Sequence, residues 1–437
     1  MLAARLPSGS WALPAMTVTT RAPIQDVVQQ HGEDAAALWN TRSYLVRAPH
    51  VRLHLLRRLD DRLAAHLDGL ITAGQYGSAS ATAALDRPGC GETFTATVCA
   101  LEDRAAAALD KLIAIAAVVP DSRPGLIAAF GWVSAGTLRG ITKPLLDSPD
   151  VFHRQIGLAA CAMHQVDPGA VLVAALSDAE SALRVRALRV AGERGQVDLL
   201  HACLNAIADT DARCAFAAAR AAVLLGDRAA AVAALRTIAA APGPWRPRAL
   251  GLVLKLLAPA SAHAELKTLS QDPASVRLLV RAIGVAGDPH YVPWLIQQMH
   301  DLKLTRLAGE SFNLVTGLDL AALDLDRKPP ENIELGPNDD PDDANVAVDE
   351  DDSLPWPDPE KINAWWQANG PRFASGTRYF MGEPPSPAHC LGVLKTGFQR
   401  QRIAAAEYLC LMKPGTPMFN TAAPAWRQQR LLAQMPA

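Results

Sequence analysis

Aromatic residues make up only 5% of this 437-residue chain, and its β-branched residues do not alternate with polar ones at period two. Strands are built from both signals, so an all-β sandwich or barrel is excluded. No apolar run approaches the ~20 residues that carry a helix across a bilayer, which excludes a membrane-spanning helix. The seven cysteines are odd in number and contain no CxxC pair. They read as small buried hydrophobes in a reducing compartment, the cytoplasm, and not as a disulfide framework or a zinc site. G-x-S-x-G, H-E-x-x-H, Walker and G-x-G-x-x-G patterns are all missing. Catalytic, cofactor-binding and metal-ligating residues are therefore not expected, and the chain reads as a non-enzyme.

Half of the residues are hydrophobic, and alanine-rich runs such as Ala215–Ala222 recur. Small side chains favour helices and let them approach closely. Between Leu176 and Leu320 a repeat is visible. Gly195, Gly226, Gly287 and Gly317 are spaced by 31, 61 and 30 residues, and Arg189, Arg220 and Arg281 each lie six residues before a glycine. The gap of 61 is two periods, filled by the weaker copy Arg246–Pro259. In each copy one helix ends at glycine, a short turn reverses the chain, and a second amphipathic helix packs back. A pair of this kind cannot bury its apolar face alone, so neighbours must stack. The arginine-to-Gly-Asp spacing is like that of the HEAT repeat. The expected fold is all-α: a HEAT-like helix-pair solenoid with non-repeating helical regions at both ends.

The predicted organisation has five parts. Residues 1–22 are read as a disordered extension, because Pro7, Ser8, Gly9 and Pro14 break its apolar stretch too often for a signal peptide; Met16 is an alternative start. Residues 23–122 form an N-terminal helical region. Its clearest helix runs from Pro49 to Leu70, with Leu55, Leu56, Leu59, Leu63, Leu67 and Leu70 on one stripe. Residues 123–320 hold the repeats, 321–357 an acidic, proline-rich linker, and 358–437 a C-terminal helical cap.

A net charge of −2 conceals an uneven layout: Asp319–Glu360 holds fifteen acids and two bases, leaving 29 acids and 40 bases elsewhere. The acidic run lacks the sixth-position glycine of a calcium loop, and Pro341 interrupts it. It reads as a solvated segment, or as a strap lying against the basic body. The candidate interaction residues are Arg189, Arg220 and Arg281, with Trp356, Trp365 and Trp366. The arginines are expected to pin adjacent repeats by pairing with Asp178, Asp209 and Asp272. The competing reading is a phosphate-binding ladder. The tryptophans read as the core of the cap, or else as a docking surface. His50 and His54 lie one turn apart, with His66 too far along the same helix to complete a metal site.

Several stretches occur in an order that resembles one bacterial family. They include Ala48–Pro49–His50, Arg58–Leu59–Asp60–Asp61–Arg62, Gly91–Glu92–Thr93–Phe94 and Gly131–Trp132. They continue with Ala308–Gly309–Glu310–Ser311–Phe312, Leu354–Pro355–Trp356–Pro357–Asp358, Trp365–Trp366, Gly376–Thr377–Arg378–Tyr379 and Gln399–Arg400–Gln401–Arg402. The chain, from about residue 24 to 432, resembles a proteobacterial HEAT-repeat family found in gene neighbourhoods of the type VI secretion system. The resemblance implies an accessory or adaptor role with protein partners such as spike, effector or adaptor components, and supplies no catalytic residues. The expected function is a non-enzymatic protein-interaction scaffold. The alternative is a HEAT-type nucleic-acid-binding protein, or a DNA-repair-like enzyme, that uses the basic body.

Overall fold

The computed structural model describes residues 22–331, 333 and 349–435. The extension expected at 1–22, apart from residue 22, and residues 332 and 334–348 of the acidic linker lie outside the described residues. Within them the chain is all-helical, as expected, apart from one two-residue strand pair.

The N-terminal half begins with α1 (Gln25–Leu45), α2 (Leu53–Thr72), α3 (Gln75–Ala83), α4 (Cys90–Glu102) and α5 (Ala106–Val118). It continues through α6 (Arg123–Trp132), α7 (Thr142–Leu146), α8 (Val151–Met163) and α9 (Ala170–Ala175). Next come α10 (Ser181–Glu193), α11 (Leu200–Asn205), α12 (Ala212–Leu224), α13 (Ala230–Ala240) and α14 (Arg246–Leu256). The series ends with α15 (Pro259–Leu269), α16 (Val276–Ala286), α17 (Val292–Gln298) and α18 (Thr305–Thr316). Strands β1 (Asp326–Arg327) and β2 (Trp356–Pro357) pair antiparallel and clasp the base of the acidic segment. Then come α19 (Pro359–Asn369), α20 (Pro387–Thr396), α21 (Gln399–Met412) and α22 (Ala425–Gln434).

Alternate helices form the rungs of one ladder. α1, α4, α6, α8, α10, α12, α14, α16 and α18 each pack on the next. Helices such as α5, α9, α11, α13, α15 and α17 pack back on these rungs. The arrangement is compatible with an α-solenoid, and helix contacts cross residue 122 without a break, since α4 and α5 both pack on α6. The rungs share a turn. After α16 and α18 the chain enters the left-handed region at Gly287 (φ 72°) and Gly317 (φ 76°). Gly195 and Gly226 do the same after α10 and α12. So do Gln165 (φ 57°) after α8 and Arg104 (φ 53°) after α4. The repeat thus extends upstream of its glycines, through turns that non-glycine residues occupy.

Helix α2 differs from expectation at its start. It begins at Leu53, because Val51 O accepts from the Gln399 amide (2.9 Å) and holds residues 49–52 in an extended path. Leu53 joins Leu56, Leu59, Leu63, Leu67 and Leu70 on the buried stripe, while Leu55 turns outward. At 100° per residue Leu55 cannot share a face with Leu53 and Leu56.

The region read as a terminal cap divides. α19 lies on α17, with Ile362 fully buried. α20, α21 and α22 instead build a core with Val51, Leu53 and Leu56, and the C-terminal region runs back along the C-terminal ends of the rungs. Arg378 donates to the carbonyls of Leu254, Lys255 and Leu257 at the end of α14, and to Ala286. The Tyr379 amide donates to Gly287 O (2.8 Å), and Met418 to Glu193 O (2.7 Å). Arg427 reaches the carbonyls of Gly131, Trp132 and Val133 at the end of α6. Beside α2, the buried Arg42–Asp60 pair (2.6 Å) binds Ala423 O and the Ala425 amide. The last rung also returns to the first hairpin, through Arg52 Nη2 and Asp319 Oδ2 at 2.8 Å. The ladder is thus a closed arc, with α20–α22 as its chord.

Candidate functional site

Arg189, Arg220 and Arg281 stand at one register on rungs α10, α12 and α16, eight residues beyond the helix starts for the first two and five for Arg281. The expected partners Asp178, Asp209 and Asp272 are not theirs. Asp178 binds Arg154 (2.8 Å), Asp209 binds Arg184 in a bidentate pair (2.8 and 3.1 Å), and Asp272 bonds Ser275. The reason is reach. Arg154 and Arg184 lie in the first turn of their rungs, beside the loops. Arg220 and Arg189 instead share Glu193, at 3.2 and 3.3 Å, and Arg220 Nη2 also touches Met418 Sδ. Arg281 reaches Glu350 (3.4 Å).

Two arginines that the sequence analysis passed over share this face. Arg186 lies one turn before Arg189, and Arg248 occupies the corresponding place on α14. Between them the same two positions hold Ala217 and Gly251, and a Cβ at Gly251 would meet nothing within 4 Å. Gly251 therefore leaves open space on α14 beside Arg248, while Ala217 is buried within the core. Arg248 stacks over Phe216 (5.3 Å) and Trp245 (5.7 Å), and those two rings are themselves stacked. Neither Arg186 nor Arg248 forms a hydrogen bond or ion pair among the described residues. Lys255 pairs with Glu407 of α21 along the edge of the face.

The cluster therefore sets Arg186, Arg189, Arg220, Arg248 and Lys255 against only Glu193 and Glu407. Burial lowers the Arg186 pKa to about 10, and the nearby Arg189 charge adds to that. Burial, Arg220 and Arg189 act the same way on Arg248. For Glu193 burial works upward, but Arg189 and Arg220 outweigh it and hold the carboxyl below its ordinary range. Such a site has positive charge in excess and is starved of counter-charge, so an anion entering it is favoured.

The acidic segment reaches the same ladder further along. Asp349 pairs with Arg306 (2.5 Å), Glu350 with Arg277 (3.1 Å), and Asp351 with Arg277 (2.5 Å). Trp356 is buried beneath the Arg306 guanidinium (4.8 Å), so its ring is not presented to solvent. Trp365 and Trp366 meet Phe312 edge-on, at 6.1 and 6.4 Å, and continue into Phe373 and Tyr379.

A cavity of about 540 Å³ opens at the seam of the arc. Pro49, His50, Glu310, Leu354, Pro355 and Arg400 line it, so four stretches carrying the resemblance converge there. Arg400 pairs with Glu310 (2.9 Å). Burial lowers the His50 pKa, with Asp352 opposing and Arg400 assisting. His66 meets His31 (3.2 Å) and is remote from a joint site with His50. Among the described residues no group of three or more His, Cys, Asp or Glu is placed to hold a metal ion. Comparison of the chain with protein families, curated proteins and solved structures finds no match.

Proposed function

We propose that this chain is a non-enzymatic, HEAT-like scaffold or adaptor that holds a protein partner against the arginine face of α10, α12 and α14. The carrying observation is the excess of cations there: Arg186 and Arg248 have no partner among the described residues, and Arg189 shares one carboxylate with Arg220. Charged groups gathered on a half-buried surface recruit and orient an oppositely charged partner. The resemblance makes the partner a spike, effector or adaptor component of a type VI secretion system. The seven free cysteines fit a cytoplasmic setting, and no described helix is long and apolar enough to cross a membrane.

The test is affinity capture from a host carrying such a secretion cluster. The intact chain is compared with the triple variant Arg186→Gln, Arg189→Gln, Arg248→Gln. Recovery of a cluster component by the first and its loss from the second is expected. Equal recovery by both, or none, removes the proposal. A nucleic-acid reading has one observation in its favour, the Arg248–Trp245–Phe216 stack beside the cations. It requires a mobility shift with single-stranded oligonucleotide that weakens steeply with salt.

A further inference from the structure

We infer that the surface between α10 and α14 is a binding site for an acidic peptide, with carboxylates seated on Arg186 and Arg189 at one end and on Arg248 at the other. This rests on reading that face as the partner-binding surface.

The chain itself shows how the ladder binds such a peptide. Three consecutive acids, Asp349, Glu350 and Asp351, are read by Arg306, Arg277 and Arg281 on the last two rungs. Arg281 belongs to the same register as Arg189 and Arg220. Continuing from α16 toward α10 along that surface, the described acids thin to Glu193 and Glu407, which engage Arg189, Arg220 and Lys255 and leave Arg186 and Arg248 without an ion pair. Arg248 comes first, then Arg220, then Arg189 with Arg186.

The surface has room for a backbone. Gly251 has open space where a Cβ would stand, and the small Ala217 lies buried beneath the surface of the rung between. Packed helices lie about 8–10 Å apart, so α10 and α14, separated by one rung, are about 16–20 Å apart. An extended peptide advances about 3.3 Å per residue, so five or six residues span that distance. The recognised chemistry is then an extended segment carrying acidic residues at two points about five residues apart. Planar guanidinium forks match carboxylates two bonds at a time. Trp245, partly exposed beside Arg248 and backed by the buried Phe216, provides an apolar wall for the neutral residues between them.

The test uses the intact chain and a fluorescein-labelled ten-residue peptide with two Asp-Glu pairs separated by four neutral residues, followed by anisotropy. Controls are the Asn-Gln version of the peptide and a single-stranded oligonucleotide. The acidic peptide is expected to bind and its neutral version not. Arg186→Gln with Arg248→Gln is expected to weaken binding roughly a hundredfold, about tenfold for each lost charge pair. Neither side chain makes a described hydrogen bond, so both variants should retain the wild-type circular dichroism, checked in parallel; Arg248→Gln gives up the stack on Trp245 and Phe216 and should melt only slightly lower. Equal binding of the acidic and neutral peptides, an unweakened double variant, or tighter binding of the oligonucleotide would overturn the assignment. If the peptide fails to bind but captured secretion components still depend on these arginines, the peptide assignment falls and the scaffold reading stands. If the peptide binds and no component is captured, the site stands and the secretion partner is removed.

Discussion

Replacing Gly287 by alanine tests the closed arc, because that glycine answers two demands at once. Its backbone sits at φ 72°, ψ 17°, where an L side chain costs about 1–2 kcal/mol. The added Cβ would also overlap the Tyr379 carbonyl oxygen, which belongs to the chord. A backbone carbonyl cannot rotate aside as a side chain can, so residues 378–381 must shift. Overpacking of this kind costs about 1–3 kcal/mol, and the Tyr379 amide bond to Gly287 O contributes about 0.5–1.5 kcal/mol more. The expected total is about 2.5–6.5 kcal/mol. Gly140 (φ 81°) and Gly376 (φ 77°) share the positive φ but have open space around them. Alanine there should cost only the strain, about 1–2 kcal/mol. Urea midpoints compare the three variants, and trypsin cleavage after Arg378, which is half-buried against α14, reports whether the chord has lifted. Equal midpoint shifts for all three, with unchanged cleavage at Arg378, would refute the reasoning.

Removing the cation of the buried pair at the junction of α1, α2 and α22, Arg42→Met, strands the fully buried Asp60 carboxylate. It is expected to cost about 3–5 kcal/mol in thermal or urea unfolding. Arg42→Met combined with Asp60→Leu should recover much of that loss, and a double variant as unstable as the single one would contradict it. In acid, Asp209 is held below the usual carboxylate range chiefly by Arg184, and Asp178 chiefly by the Glu180 amide. Their folded pKa values are depressed, so the unfolded chain binds more protons as pH falls. The stability they contribute is complete above the unfolded carboxylate pKa of about 4 and is lost as pH falls from there through the folded values. Unfolding midpoints between pH 3 and 7 should drop only at the acid end, and Arg184→Gln should flatten that drop; an identical profile in the variant would sink the assignment.

The ladder is legible in the sequence wherever glycine marks its turn, and the reason it fades elsewhere is physical. Gly195, Gly226, Gly287 and Gly317 each lie against the chord: Gly415, Pro414, Tyr379 and Met381 leave no room for a side chain. Gln165 makes the same left-handed turn beside a cavity of about 710 Å³, where a side chain fits. Nothing requires glycine there, so the α8 rung carries no glycine mark although it falls within the repeats expected over 123–320; the rungs before residue 123 are the ones the register misses. The chord was illegible for a different reason. Its attachments are arginines that meet carbonyl oxygens with no acid to match, as at Arg378 and Arg427. Arg402, fully buried, donates to Leu394 O, Gln399 and Gln428. Pairing rules based on opposite charge do not find such contacts. At the candidate site the register exposed Arg189, Arg220 and Arg281, but their partners depended on position along the rung. Arg186 and Arg248 carried a signal three residues earlier in the period, visible only once Gly251 was seen to leave open space beside Arg248.

Closure also bears on how the arginine face would bind. In an open stack each repeat touches only its neighbours, and small changes at every interface add into a large change of curvature. Here Arg52–Asp319 ties the two ends, and α21 crosses from Asn313 on the last rung, through Gln401 (2.7 Å), to Glu407 at Lys255 on α14. The separation of α10 from α14 is then set by contacts with a third body as well as by α12 between them. Arginines held at a fixed spacing lose little freedom when a ligand bridges them, so more of the charge attraction appears as affinity. Loosening the seam, far from any contact with the ligand, is therefore expected to weaken binding as a missing arginine does, but through geometry instead of charge.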